Sequence, residues 1–557
     1  MATHNHIKEK TNQPAQNKRN LKWYLIGIAK LLSLLIFFVF TSGHERANPK
    51  VGSTSIEFYA NDMRNGLKEV TKNSLNEIEV IQQLFYYQRN YLPAWTINFK
   101  INDNYKELDS LIGNAKFYGL AHINYNKALL DSMVSNMNRL EDEGKKLRQR
   151  IQFEKVATKT AIQFLTHVSQ GIIDIDSNNY NTPFFQILPN KLNEALANNT
   201  LSSKLEALQP RHPYYINLRK ALYNYLTRVS ISDNINTINS KTDKQEIFNV
   251  LKSLEFVLPT SAFTDEKYEI GLKKFQKHHG LKADGKLSKR TLRHFNTSTR
   301  YRYYQIAVNL DRIRKAQIEN DNFIFVNIPE YKLTLFENRE ATKEHIVVVG
   351  RPSTPTPVLN STITKVVANP YWVVPKSITY NEILPRVSKD STYLQRNGYE
   401  LVDYKLNPVD ISNLSEMSYE SGKYWLRQKK GNGNALGLVK FVFPNDKRVY
   451  LHDTPSKSKF NYDIRAYSHG CVRVHKPQEL AEYITSKYAL EEEKETEFAD
   501  YIKKRRHKEF ELANKLDVHL SYLTCKGNEN GEIFFFTDIY KKDKKSIEAL
   551  FPETASI

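Results

Sequence analysis

From about Ser53 to Val250 apolar residues return every three or four positions, as at Ala161, Leu165 and Val168, with Gln, Asn, Lys and Glu between them. That is the helical period, and the stretch predicts a helical region. Asn- and Ser-rich breaks at Asp176–Asn181 and Ser230–Ser240 read as loops between helices. Within the region, residues 85–95 form a dense aromatic patch that is either helix-end packing or a ligand platform. A shorter helical pair follows. Tyr268, Leu272 and Phe275 share one face, Gly280 suits a helix C-terminus, and Asp284-Gly285 suits a tight turn. Ser288 suits the N-cap of a second helix carrying Leu292 and Phe295.

After Asn322 the pattern changes to strands, at residues 323–329, 332–336, 345–350, 363–368, 438–443 and 449–452. Residues 518–524 and 533–536 flank a loop holding Asn530-Gly531, which reads as a hairpin. Between Ser377 and about Gly433 more than fifty residues show no strand alternation. A loop of that length inside a compact domain is usually a lid or an inserted element, so this stretch reads as a cap.

The N-terminus has a different pattern. Lys8, Lys10, Lys18 and Arg19 face a single acid, Glu9, and lead into an almost unbroken apolar run from Leu21 to Phe40. Twenty helical residues span about 30 Å, one bilayer core, and basic residues ahead of the run favour an inside N-terminus. Lys30 interrupts the run, so two parses stand: an uncleaved anchor over 21–41, or a signal peptide whose apolar core is Leu31–Phe40. Both export everything that follows.

Composition narrows the class. With 557 residues, 40% hydrophobic and 12% aromatic, the exported part has ample material for several cores, and wholesale disorder is excluded. The formal charge of +20 suits a polyanionic partner, either nucleic acid, anionic lipid or a carboxylate-rich wall polymer. No zinc-finger spacing, Walker loop or aromatic RNA-binding box is present, which argues against nucleic acid. There are two cysteines, Cys471 and Cys525, too few for a disulfide scaffold.

Chemistry concentrates where Tyr450-Leu-His-Asp-Thr-Pro455 is followed, after a gap of fifteen residues from His452, by Ser468-His-Gly-Cys-Val-Arg473. A thiol beside an imidazole is a recipe for nucleophilic acyl transfer, because thiolate is the attacking species. His452 at a strand end is placed to serve Cys471, whereas His469, two positions from the thiol, is better suited to shaping the turn. Gly470 removes bulk where a substrate carbonyl would approach, and the N–H groups of Gly470 and Cys471 suit an oxyanion hole. Arg473 suits either a substrate carboxylate or a salt bridge to a nearby acid. Cys525, outside any motif, reads as structural.

This pattern resembles the signature of the YkuD-type L,D-transpeptidases. The likeness extends to the large YcbB-type branch of Gram-negative envelopes, through residues 350–357, 369–375, 433–437 and 452–455. The resemblance implies a multidomain α+β protein: a cytoplasmic basic tail at 1–20, an anchor or signal at 21–41, a helical scaffold at 50–250 and a small peptidoglycan-binding-like module at 251–300. A β-rich catalytic domain at 320–545, with a cap inserted at about 377–433, completes it. It implies Cys471 as nucleophile, His452 as general base and the backbone carbonyl of Asp453 as the group that orients the ring. Ser468, His469, Gly470 and Arg473 would shape the substrate pocket; Tyr371, Trp372 and Tyr450 would wall it or pack as core.

The implied reaction is thioester formation with a peptidoglycan tetrapeptide stem, loss of D-alanine and transfer to an amine of a second stem, with no cofactor and no metal. Acylation by carbapenems is implied as well. The expected setting is the inner membrane, with the body in the periplasm. Resolution of the acyl-enzyme by water, a D-amino acid or a protein amine remains the alternative chemistry, and a non-catalytic wall-binding scaffold the alternative class.

Overall fold

The computed structural model describes residues 61, 63, 64, 77–121, 123–172, 182–416, 422–494 and 497–552. The basic tail and the apolar segment at 21–41 lie outside these residues, as does the break at 176–181. Among the described residues no helix is long and apolar enough to cross a membrane.

The N-terminal part is helical: α1 (Glu77–Gln88), α2 (Asp103–Gly113), α3 (Lys127–Arg139), α4 (Glu143–Gln170), α5 (Thr182–Ala197), α6 (Leu201–Leu208) and α7 (Pro213–Arg228). The longest, α4, starts where the Asp142 carboxylate accepts from the Lys145 N–H, and ends at Gly171, whose φ of +86° is open to glycine. Its buried stripe includes Ile151, Ala157, Ala161, Leu165 and Val168. The aromatic patch is core packing and not a platform: Phe85, Tyr86 and Trp95 are fully buried. Beneath them the buried Glu154 carboxylate accepts from the Ala94 N–H at 2.7 Å, the Trp95 N–H at 3.0 Å and the Thr96 hydroxyl at 2.6 Å. A buried acid surrounded by donors pins the α1–α2 connection onto α4.

Three helices follow: α8 (Lys244–Ser253), α9 (Asp265–His278) and α10 (Lys289–Phe295). Ser288 caps α10, Gly280 carries φ +59° just past α9, and Phe275 stacks on Phe295 at 4.0 Å. Their common core also takes Ile238, Ile247 and Phe248, so this unit begins upstream of residue 251. Then comes α11 (Thr299–Ala316), buried on several sides. Its Arg314 donates to the Tyr118 carbonyl at 2.7 Å and to the Tyr215 hydroxyl at 3.1 Å, tying α11 to the scaffold helices.

The C-terminal part is a barrel built from β1 (Phe323–Asn327), β2 (Lys332–Glu337), β3 (Glu340–Gly350), β4 (Leu359–Ala368), β5 (Val439–Val442), β6 (Leu451–His452), β7 (Ala466–Ser468), β8 (Val472–Val474) and β9 (Lys508–Ser521). Neighbours run β3-β8-β6-β5-β4-β9-β1-β2 and back to β3, which closes the ring and leaves no free edge among those eight. β7 attaches to β3 in parallel, and β6 runs parallel to β8. Ile324, Val326, Leu333, Val347, Phe441, Leu451, Val472 and Val518 fill one core, while Phe323, Phe325 and Phe336 pack with α7 and α11 in another. Strand β1 is apolar from Phe323 to Val326 because both of its faces are covered.

Two strand expectations change. Residues 518–521 end the long β9, and the hairpin around Asn530-Gly531 pairs Cys525–Gly527 with Ile533–Phe535 instead. The region read as strand-free holds three strands, Tyr424–Gln428, Tyr399–Asp403 and Pro408–Val409, which with Trp372–Val373 just ahead of it form a four-stranded antiparallel sheet in the order 372–373, 424–428, 399–403 and 408–409. Its arms are short and rich in Tyr, Glu and Gln, so no apolar alternation announces them. Val374, Ile383, Leu394 and Leu426 give the insertion a core of its own.

Several histidines are buried, and burial pulls them below their ordinary value: His212 and His452 to about 3, His519 to about 4, and His279 and His294 well below it. The unfolded chain binds these protons more tightly, so their contribution to stability is complete above about pH 6.5 and is lost as pH falls below it. Urea midpoints measured from pH 7 down to pH 5 should fall, each such histidine adding a slope of up to about 1.4 kcal/mol per pH unit. A His212→Phe variant should flatten part of the slope, since His212 packs against Phe323, Phe325 and Phe336. A stability that is level over this range would contradict the buried neutral state.

Candidate active site

Strand alternation assembles the site. In β6 Leu451 points into the barrel core, so Tyr450 and His452 take the opposite face; in β8 the same holds for Val472 against Cys471 and Arg473. The register pairs His452 with Arg473 on one side and with Lys440 of β5 on the other. Five chemically active side chains, Lys440, Tyr450, His452, Cys471 and Arg473, therefore share one face of three adjacent strands.

The turn ahead of the thiol is fastened from several directions. The Ser468 hydroxyl donates to the Cys471 carbonyl at 2.5 Å and accepts from the Gly470 N–H at 3.1 Å. The Gly470 carbonyl accepts from the Thr356 hydroxyl at 2.7 Å, and the Ser468 carbonyl accepts from the Arg351 N–H at 2.9 Å and the Thr354 hydroxyl at 3.1 Å. Residues 350–357 thus act as a clamp on the turn ahead of Cys471. Gly470 carries a φ of +118°, a conformation that favours glycine, and a Cβ there would meet its nearest protein neighbours at an ordinary 3.7 Å. Its N–H is also taken by Ser468, and the donor left for an oxyanion is the N–H of Cys471.

His452 is buried at 5% exposure. Burial first, and then the Arg473 charge, hold its imidazole down to about 3, while the main chain of Asp453 and of Leu436 lies close enough to favour the protonated form. Its Nδ1 has no hydrogen-bond partner within normal geometry. The Asp453 side chain turns away from the ring: it accepts from the Leu438 N–H at 2.9 Å and the Thr454 N–H at 2.7 Å, and pairs with Lys457. Gly437, with φ +62°, is required beside it, since a Cβ would stand 2.3 Å from the Asp453 carboxylate.

Cys471 is partly buried, and burial raises its thiol above the ordinary value. The main chain of Tyr450, the Lys440 ammonium, the Tyr450 hydroxyl and the Arg473 guanidinium oppose the rise, in that order. Trp372 and the Cys471 thiol both lie close enough to the Tyr450 hydroxyl to act on it. Tyr371 points elsewhere, against His507 at 5.4 Å and under Arg427 at 4.6 Å. Arg473 makes no ion pair with any acid among the described residues, which removes its salt-bridge alternative. His469 is exposed at the turn, and its Nε2 meets Glu382 of the insertion at 2.6 Å. Cys525 is fully buried with Sγ 3.8 Å from the Gln305 carbonyl, remote from this face. Among the described residues no group of three or more His, Cys, Asp or Glu could hold a metal ion.

Two side chains here were not singled out by sequence reasoning, Lys440 and Glu382. The alternation of residues 438–443 carried the signal for Lys440, a single cation in an apolar strand next to the His452 strand. Nothing in the chain order points from Glu382 to His469.

Residues 321–494 match the profile of the YkuD L,D-transpeptidase catalytic domain, and residues 82–222 match a scaffold domain. A Haemophilus influenzae protein with a provisional L,D-transpeptidase name is 34% identical over 242 residues, 43% of this chain and 48% of that protein. The chain spans about half the length of that curated relative. Two solved structures also align: an L,D-transpeptidase from Mycobacterium smegmatis, 14% identical over 36% of this chain and 58% of that one, with a TM-score of 0.18, and one from Stackebrandtia nassauensis, 13% identical over 52% and 97%, also at 0.18.

Proposed function

We propose, from the premise that residues 321–494 form a YkuD L,D-transpeptidase catalytic domain, that this chain is an exported wall enzyme joining two peptidoglycan stems by a 3-3 cross-link. The observation that carries the reading is the common face of β5, β6 and β8, where the thiol of Cys471 and the imidazole of His452 stand with two cations that have no carboxylate partner among the described residues.

In the first step Cys471 Sγ attacks the carbonyl carbon of the third stem residue. The thiol proton passes to His452 as the carbon–sulfur bond forms, because a bonded sulfur no longer holds it. His452 returns that proton to the amine of the terminal D-alanine as the peptide C–N bond breaks, leaving a thioester. The side-chain amine of a second stem then attacks the thioester, gives its proton through His452 back to sulfur, and forms the new amide. The thioester supplies the drive, so the sequence needs neither ATP nor a metal. Arg473 suits a stem carboxylate, the Cys471 N–H suits the oxyanion, and Trp372 and Tyr450 suit the wall against which the stem lies. The apolar run at 21–40 serves as anchor, the body stands in the periplasm, the helical unit ending at residue 300 offers a glycan-binding-like module, and the basic surface suits a polymer rich in carboxylates.

Incubation of the exported fragment with purified tetrapeptide muropeptides, followed by mass spectrometry, should give cross-linked dimers and free D-alanine. Trimmed monomers alone would replace cross-linking by hydrolysis, and unchanged substrate would reduce the chain to a wall-binding scaffold.

A further inference from the structure

Lys440 enters the site from the strand that neither carries the thiol nor the imidazole. Its backbone is fixed by the pairing of β5 with β4 and β6, where it stands opposite Val367 on one side and His452 on the other. Its neighbours Val439 and Phe441 are buried in the barrel core, which turns the lysine onto the Cys471 face. Its ammonium is seated 4.2 Å from the centroid of the Tyr450 ring, the same tyrosine whose hydroxyl acts on the thiol. A cation over an aromatic face is held in position without being neutralised.

No carboxylate among the described residues lies within 4.0 Å of the Lys440 Nζ. The acid whose charge acts on it, Glu509 of β9, is itself paired with Lys365 at 2.6 Å, so those two charges largely cancel. The charged and titratable groups around the thiol are therefore Lys440, Arg473, Tyr450 and His452, and His452 is neutral at working pH. A desolvated ammonium without a counter-ion is costly, and here the group that can relieve it is the ionised sulfur.

We propose that Lys440 is a positioning residue of the active site, a fixed ammonium on the Tyr450 ring whose charge favours the thiolate of Cys471 and so eases loss of its proton as the sulfur attacks. The inference rests on the reading of Cys471 as nucleophile and adds the source of its ionisation. Burial raises the thiol, the neutral imidazole offers it no charge, and among the surrounding charges that of Lys440 favours the thiolate most, ahead of Arg473. The imidazole then moves protons, while the lysine sets how much thiolate there is to react.

The test is the pH profile of Cys471 alkylation by iodoacetamide, followed on the Cys471 peptide by mass spectrometry, in the wild type, Lys440→Met and Lys440→Arg. In Lys440→Met the inflection should move up by roughly one pH unit and the rate at pH 7 should fall about tenfold. Lys440→Arg should restore most of both. An unmoved profile in Lys440→Met overturns the proposal. So does a rise in KM for the stem peptide with the profile intact, which would make Lys440 a substrate contact. Equal loss in both variants with a lowered Tm would make it a structural residue and also overturns it. Mapping the carbapenem adduct on the wild type separates the two levels: an adduct away from Cys471 removes the nucleophile assignment, whereas the alkylation profile still reports on Lys440.

Discussion

Cys471→Ala should abolish covalent acylation by a carbapenem and reduce stem transfer to background, a loss of at least about a thousandfold. Every bond change in the proposed reaction passes through this sulfur, and the other thiol, Cys525, is fully buried where the C-terminal hairpin packs on α11. Folding should survive. The Cys471 side chain is partly buried at the rim of the barrel core, and the bonds that shape its turn come from its main chain, Ser468, Thr354 and Thr356. Loss of the thiol should therefore cost roughly 1 kcal/mol, close to the centre of the range for point substitutions. Intact-protein mass after incubation with a carbapenem reads the chemistry, and a urea melt reads the fold. An adduct of unchanged yield on the alanine variant would move the nucleophile to another residue.

How far the chain order discloses this site depends on the range of the interactions involved. The unbroken apolar run of residues 323–326 marks β1 because one face must meet the barrel interior and the other the helices. The Ser288 cap and Gly280 of the small helical unit are equally legible, being local chemistry within a few residues. Helix α11 was missed although Ser298 caps it and Tyr303, Ile306, Ala307, Leu310 and Ile313 follow a helical period. Its many Arg, Tyr and Asn residues conceal that period, and those polar groups are buried only because Tyr118, Tyr215 and Thr524, distant in the chain, receive them. The four-stranded sheet of the insertion fails for a related reason: its strands are held by one another and by a small core, with little apolar alternation to read.

The same distinction runs through the active face. Cys471 and His452 were legible because the residues around them form a dense local signature. The clamp by residues 350–357, the commitment of the Gly470 N–H to Ser468 and the contact of His469 with Glu382 span roughly ninety to one hundred and fifteen residues, apart from the local Ser468 bond. Lys440 lies between these extremes. Its strand was legible, and its facing direction follows from alternation, but the approach of β5 to β6 in this register is a property of the closed barrel. The fold adds to the sequence motif the electrostatic surroundings of the sulfur.

Those surroundings decide what the second large substitution should do. His452→Ala should lower the rate of acylation at neutral pH by about a hundredfold to ten-thousandfold, the usual worth of a positioned acid–base group, with a smaller change in KM. Burial and the Arg473 charge keep the ring unprotonated down to about pH 3, so over the working range it is always ready to accept. Such a ring is a weak base toward a resting thiol, and the proton moves only as the sulfur attacks; later the same ring must protonate the departing amine. Without it, both transfers fall to solvent. Raising the pH replaces the first of them by ionising Cys471 directly, so acylation by a carbapenem should recover in His452→Ala as pH rises through the thiol's elevated value, in step with alkylation. Release of D-alanine from a stem should recover far less, because its amine still leaves without a proton donor. Stopped-flow acylation and D-alanine release, each measured from pH 6 to 10, separate these limbs. Full acylation by the alanine variant at pH 7 would remove His452 from the role of base, and parallel recovery of both reactions would remove it from the role of acid.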